Sequence, residues 1–184
     1  MTEYTISIPW NKYALITDLA IKIKRINAQF GKTALQKMVF LLQELYGVNC
    51  GYDFQFYTYG PFSSDLLQDL EILEFNKGVA INSNPETGGY IIVQGEKATM
   101  ILEKGKKFLE ENKEKIEVAI NKFGEYTARD LELRSTIIFV DKYIAKKGDD
   151  ILKIVQELKP KFDKKIIQGA YNQLEKDGFI RIRN

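Results

Sequence analysis

The stretch YGPFSSDLLQDLEILEFNKG, Tyr59 to Gly78, decides how the chain is read. Gly60 and Pro61 signal a turn, Ser63 and Ser64 are capping residues, and Leu66, Leu67, Leu70 and Leu73 recur at helical spacing until Gly78. This spacing predicts a capped amphipathic helix with a glycine stop. Beyond it, VAINSN and YIIVQ flank PETGG and predict a β-hairpin, because Gly88 and Gly89 supply the positive φ that a tight turn needs. Helix followed by hairpin is the order of a recognition helix and its wing. The polar face of this helix carries Asp65, Asp69, Glu71 and Glu74, with no base before Lys77.

Working outward, residues 4 to 8 alternate as a short strand ended by Pro9. Asn11 can then cap a helix built on Ile16, Leu19, Ala20 and Ile23, with Gly31 as its stop. Thr33 and Gln36 make a capping-box pattern for a second helix, whose stripe is Leu35, Met38, Val39, Leu42 and Leu45. Tyr52 to Tyr59 is aromatic enough for a strand, with Tyr52, Phe54 and Phe56 on one side and Tyr57 and Tyr59 on the other. After the hairpin, residues 97 to 123 predict one long helix buried along Ile101, Gly105, Phe108, Ile116, Ala119 and Phe123. Glycine costs about 1 kcal/mol relative to alanine inside a helix, so Gly105 implies a closely packed neighbour.

Gly124 and Thr127 open a further helix to Lys147, apolar all round at STIIFV. Gly148 leads to a helix carrying Ile151, Ile154, Val155 and Leu158, which Pro160 cannot continue. Asp163 caps the next, expected to bury Ile166, Ala170 and Leu174 before Gly178 and a terminal strand, FIRIRN. The expected fold class is therefore α+β and mainly helical. A winged-helix-like unit with its wing and trailing helix occupies residues 1–123, and a helical segment with a second, helix-turn-helix-like unit occupies 124–184.

Charge is segregated between these units. Met38 to Asn76 holds Glu44, Asp53, Asp65, Asp69, Glu71 and Glu74 and no lysine or arginine. Duplex affinity comes largely from neutralising phosphates, so this helix repels DNA, and its face is either a solubility device or a protein-docking surface. From residue 159 to 184 the bases are Lys159, Lys161, Lys164, Lys165, Lys176, Arg181 and Arg183, against Asp163, Glu175 and Asp177. That is a net +4 in a chain of net +2, which leaves −2 for residues 1–158. Gln168 and Asn172 can pair with adenine, while Lys161, Lys164, Lys165, Lys176, Arg181 and Arg183 can hold phosphates. The bland alternative is a lysine-rich face without a partner.

The 184-residue chain has ordinary globular composition, 45% hydrophobic and 28% charged, with no apolar run of spanning length. A cytoplasmic protein without a membrane partner is expected. Cys50 is the single cysteine and histidine is absent, so an internal disulfide and the common Cys/His zinc and catalytic arrangements are excluded. Ser63, Ser64 and Asp65 lack a histidine base and read better as caps. No enzyme activity, cofactor or metal is expected, and the long helices are compatible with a homodimer.

KTALQKMVFLLQELYG followed by YTYGPFSSDLLQDL resembles the YwgA-type bacterial proteins and, more distantly, the Panacea domain of SocA-like antitoxins. The resemblance covers Gly31 to Leu73 and is firmest at Leu35, Gln36, Lys37, Tyr59, Gly60 and Pro61. It implies a prokaryotic cytoplasmic protein that binds another macromolecule. Two functional expectations result. One is a non-enzymatic regulatory protein that contacts double-stranded DNA through its basic tail. The other is an antitoxin-like module that holds a partner protein through Tyr59, Gly60, Pro61, Phe62, Asp65 and Asp69.

Overall fold

The computed structural model describes residues 8–85, 88–146 and 150–180. Helices α1 (Trp10–Lys24) and α2 (Lys32–Tyr46) precede a short hairpin of β1 (Gln55–Tyr57) and β2 (Gly60–Phe62). Then come α3 (Ser64–Phe75) and a second hairpin, β3 (Val79–Ser83) with β4 (Tyr90–Gln94). Helices α4 (Ala98–Lys104), α5 (Lys106–Glu111), α6 (Lys113–Phe123) and α7 (Ala128–Phe139) follow. A π turn (Val140–Ile144), α8 (Ile151–Leu158) and α9 (Lys164–Lys176) complete the order. The fold is α+β and mainly helical, with two antiparallel two-stranded sheets.

Helix α2 is the centre, because every residue from Ala34 to Leu42 is buried. It packs against α1, α3, α6, α7 and β2, so it is buried all round rather than along a single stripe, with Gln36 and Lys37 as the polar members of the buried run. One core runs from Tyr13 to Ile180 and includes residues on both sides of position 123. Phe40 illustrates this, with its ring 5.3 Å from that of Phe54 and 6.1 Å from that of Phe139 on α7. The apolar segment of α7 is buried from Ser135 to Val140, as its composition requires.

The Gly105 expectation is borne out: a β carbon there would lie 2.2 Å from Ala14 Cβ and 2.9 Å from the Trp10 carbonyl oxygen. The expected single helix over residues 97 to 123 is nevertheless three, broken at Gly105 and Asn112. Asn112 donates its side-chain amide back to the Phe108 carbonyl at 2.9 Å, a local bond that competes with helix continuation.

Other boundaries move for local reasons. Helix α1 starts after Pro9, with Asn11 inside it, and ends at Lys24. Gly31 is instead the N-cap of α2, where a β carbon would strike the Tyr90 carbonyl at 2.1 Å, so glycine lets the wing approach. Gln36 does not close a capping box, since its amide is used elsewhere. The strand over residues 52 to 59 shrinks to Gln55–Tyr57, and Gly60–Phe62 is the returning strand rather than the turn. Thr58 and Tyr59 make the reversal. Helix α3 stops through Lys77, which takes φ +61°, one residue before the expected glycine.

Ser63 and Asp163 cap α3 and α9 as expected, Thr127 at the expected boundary caps α7, and Gly178 takes φ +76° after α9. The stripe of α9 is Ile167, Ala170 and Leu174, whereas Ile166 is 53% exposed. The one-residue difference follows the seating of α9 against α7 and α8. Residues 4–7 of the expected first strand, the Gly148 boundary and residues 181–184 of the expected terminal strand lie outside the described residues, while Ile8, Phe179 and Ile180 are not in a strand. Ile180 is buried, and the Phe179 ring meets those of Tyr46 and Phe123 at 5.9 and 6.0 Å.

Candidate functional site

The residues that carry the family resemblance are brought together, but mostly inside the molecule. Gln36 donates Nε2 to the Ser63 carbonyl at 2.8 Å, and its Oε1 accepts the Ser63 N–H at 2.9 Å. Lys37 donates Nζ to the Pro61 carbonyl at 2.6 Å. Leu-Gln-Lys on α2 thus clasps the strand that feeds α3, satisfying backbone groups that burial would otherwise leave unpaired. Gly60 takes φ +83°, and a β carbon there would lie 2.9 Å from Thr136 Oγ1 on α7.

Gly60 and Pro61 are therefore buried and offer no surface to a partner, which corrects their place in the expected partner-binding set. Phe62 is half-buried, its ring 5.7 Å from that of Tyr57. Asp69 accepts the Tyr52 hydroxyl at 2.9 Å, so part of its acceptor capacity is internal. Tyr59 and Asp65 remain exposed.

Among the described residues, two lysines lie inside. Lys37 is 2% exposed, and burial pulls its pKa down from 10.5 to about 8, against the opposing pull of Glu132. Lys159, 4% exposed, donates Nζ to Glu132 Oε1 at 2.5 Å and to the Thr58 carbonyl at 2.7 Å. It belongs to the interior, so the basic tail has one fewer surface charge than its composition suggests. Cys50 is buried and its thiol is pushed up to about 12 by burial, which removes its nucleophilic form at neutral pH.

The outward face of α3 is acidic and apolar together. At about 100° per residue, Gln68, Phe75 and Ile72 stand opposite the buried Leu66, Leu70 and Leu73. Phe75 is 86% exposed at the last turn of α3, with the exposed Glu71 one turn before it. Of the six carboxylates in the base-free window, Glu44 is covered by Lys142, which donates to both its carbonyl and its carboxylate. Asp53, Asp65, Glu71 and Glu74 are exposed, with no ion pair among the described residues. Phase counting from the buried leucines would have singled out Phe75; attention to charge alone passed over it.

On α9 the expected side chains share one face. Lys164, Lys165, Gln168, Asn172 and Lys176 are all exposed. They fall within about 120° of arc, opposite Ile167, Ala170 and Leu174, with Glu175 as the one acid inside the arc. Gln168 donates Nε2 to Asn172 Oδ1 at 2.7 Å, which aligns the two amides along the helix. Lys161 is exposed in the turn before α9, and Arg181 and Arg183 lie outside the described residues. Among the described residues, no helix is long and apolar enough to cross a membrane. Compared with protein-family models, curated proteins and solved structures, the chain matches none.

Proposed function

We propose that the protein is a non-enzymatic regulatory binding protein whose α9 contacts duplex nucleic acid. The observation that carries this reading is the arc of Lys164, Lys165, Gln168, Asn172 and Lys176, exposed opposite the buried stripe of a helix that follows another across a short turn. Lysines at the edges of such an arc neutralise phosphates, and amides along its middle meet base edges. Helix α3 is excluded from this role by its carboxylates.

The test is a fluorescence-anisotropy titration with a generic duplex at two salt concentrations. Binding is expected at low salt, weakening as salt rises, and Lys164→Glu with Lys165→Glu reduces the salt slope by about 2. Flat traces at low salt overturn the reading.

A second reading is favoured by Phe75. An aromatic ring 86% exposed beside the exposed Glu71 and Glu74, on the helix that continues the clasp, suits an antitoxin-like module that docks a basic protein surface. This agrees with the resemblance to YwgA-type and Panacea proteins.

A further inference from the structure

A cleft of about 540 Å³ opens where the Thr58–Tyr59 reversal, the first turn of α7 and the α8–α9 turn meet. This volume lies within the usual range of small-molecule sites. Its wall is apolar at Tyr59, Leu158 and Phe162, and its polar groups include Arg129, Lys161, Glu132 and Lys159.

The charges do not balance. Glu132 is taken by Lys159 at 2.5 Å, which leaves Arg129 and Lys161 without a carboxylate among the described residues lining the cleft. Arg129 is also held in position. Its guanidinium lies 4.9 Å from the centre of the Phe162 ring and donates once, to the Lys161 carbonyl at 3.2 Å. A guanidinium has five N–H donors, so most of its capacity is unspent. Arg129 is exposed in the first turn of α7, and the acid of that turn, Asp130, is engaged by Thr127 and Arg134 rather than by Arg129.

We propose that this cleft binds a small organic anion, its acidic group on Arg129 and Lys161 and its flat apolar body against Tyr59, Leu158 and Phe162. The site goes beyond the duplex reading and does not rest on it. A phosphate of a nucleic acid would satisfy the same cations, so the experiment separates the two sources.

The probe is the aromatic sulfonate 8-anilinonaphthalene-1-sulfonate, titrated by fluorescence into the full chain. One saturable equivalent is expected, displaced by benzoate. Arg129→Ala weakens binding at least tenfold, Arg129→Lys recovers part of it, and Tyr59→Ala weakens it as well. Val118→Ser, an exposed apolar residue on α6, is the control for adventitious dye binding and leaves the affinity unchanged. Lys164→Glu with Lys165→Glu weakens duplex binding and keeps the dye, so failure of the duplex reading leaves this result standing. The proposal is overturned if no saturable phase exists, or if Arg129→Ala binds dye as the wild type does. It is overturned equally if duplex displaces the dye and Arg129→Ala loses duplex in parallel, which would assign the cations to the nucleic-acid backbone.

Discussion

Helices α3 and α9 share a plan. Each starts at a capping side chain, buries three residues on one stripe and ends just before a glycine or a residue in the left-handed region. Their outward faces differ in kind. Around Gln68, α3 presents Phe75, Ile72, Asp65 and Glu71, whereas α9 presents lysines around Gln168 and Asn172. A helix at a given place in a motif therefore carries no fixed ligand. The buried stripe decides where the helix sits, and the opposite face, free of packing constraint, decides what it can meet.

The contrast is meaningful only if both helices ride on one body, and the largest expected effect breaks that tie. Lys159 precedes α9 and is held by Glu132 and by Thr58 from the first hairpin, with the two side chains 4% and 13% exposed. Glu132→Gln leaves two buried lysines without their carboxylate and should cost about 3–5 kcal/mol, measured by urea denaturation. If the two segments were independent, the variant would give two separated transitions instead of one destabilised transition.

A smaller effect sharpens the difference between buried and solvated lysines. Because burial holds the folded pKa of Lys37 near 8 against an ordinary 10.5, the folded state binds its proton less tightly than the unfolded chain does. The resulting penalty is present in full below about 8 and fades as pH rises toward the unfolded value. Burial of Cys50 acts in the opposite sense, since a thiol held up at about 12 contributes stability that is lost above its ordinary value. The measurement that isolates Lys37 is the stability difference between the wild type and Lys37→Met. It should move toward the wild type by on the order of 2 kcal/mol between about pH 7 and pH 10.

The smallest effect tests the freedom of the α3 face. Phe75→Ser should change stability by no more than about 0.5 kcal/mol, because a ring 86% exposed contributes little to the core. Thermal melts of this variant beside Leu70→Ala would check it, the latter costing about 2–5 kcal/mol. A large loss in Phe75→Ser would mean that the ring packs in solution, and the docking reading would lose its anchor.

Much of the molecule was legible residue by residue. The α+β class, the caps at Ser63, Thr127 and Asp163, the buried length of STIIFV and the reason for Gly105 all follow from local chemistry that needs no distant partner. Less legible were the features whose cause lies elsewhere in the chain. The Gly60-Pro61 pair looked like a turn because its composition is that of a turn. It forms a buried strand because α7 leaves room there for a residue without a side chain, and because Lys37 needs the Pro61 carbonyl. Lys159 looked like one cation among seven until Glu132 and Thr58 closed over it. The break at Asn112 depends on backbone competition, and the burial of Ile167 instead of Ile166 on the surface beneath α9, since either residue fits helical spacing with Ala170 and Leu174.

By itself, the sequence determined where most of the helices and the second hairpin lie, several of the caps and how charge is divided between front and tail, because those properties belong to residues and their near neighbours. Only the tertiary structure decided which lysines are interior, which motif residues are a clasp rather than a surface, and that Arg129, Lys161 and Tyr59 share a cleft. Burial and Coulombic pairing act through space, and residues as distant in the chain as Tyr46 and Phe179, or Thr58 and Lys159, become neighbours only when α2 is enclosed.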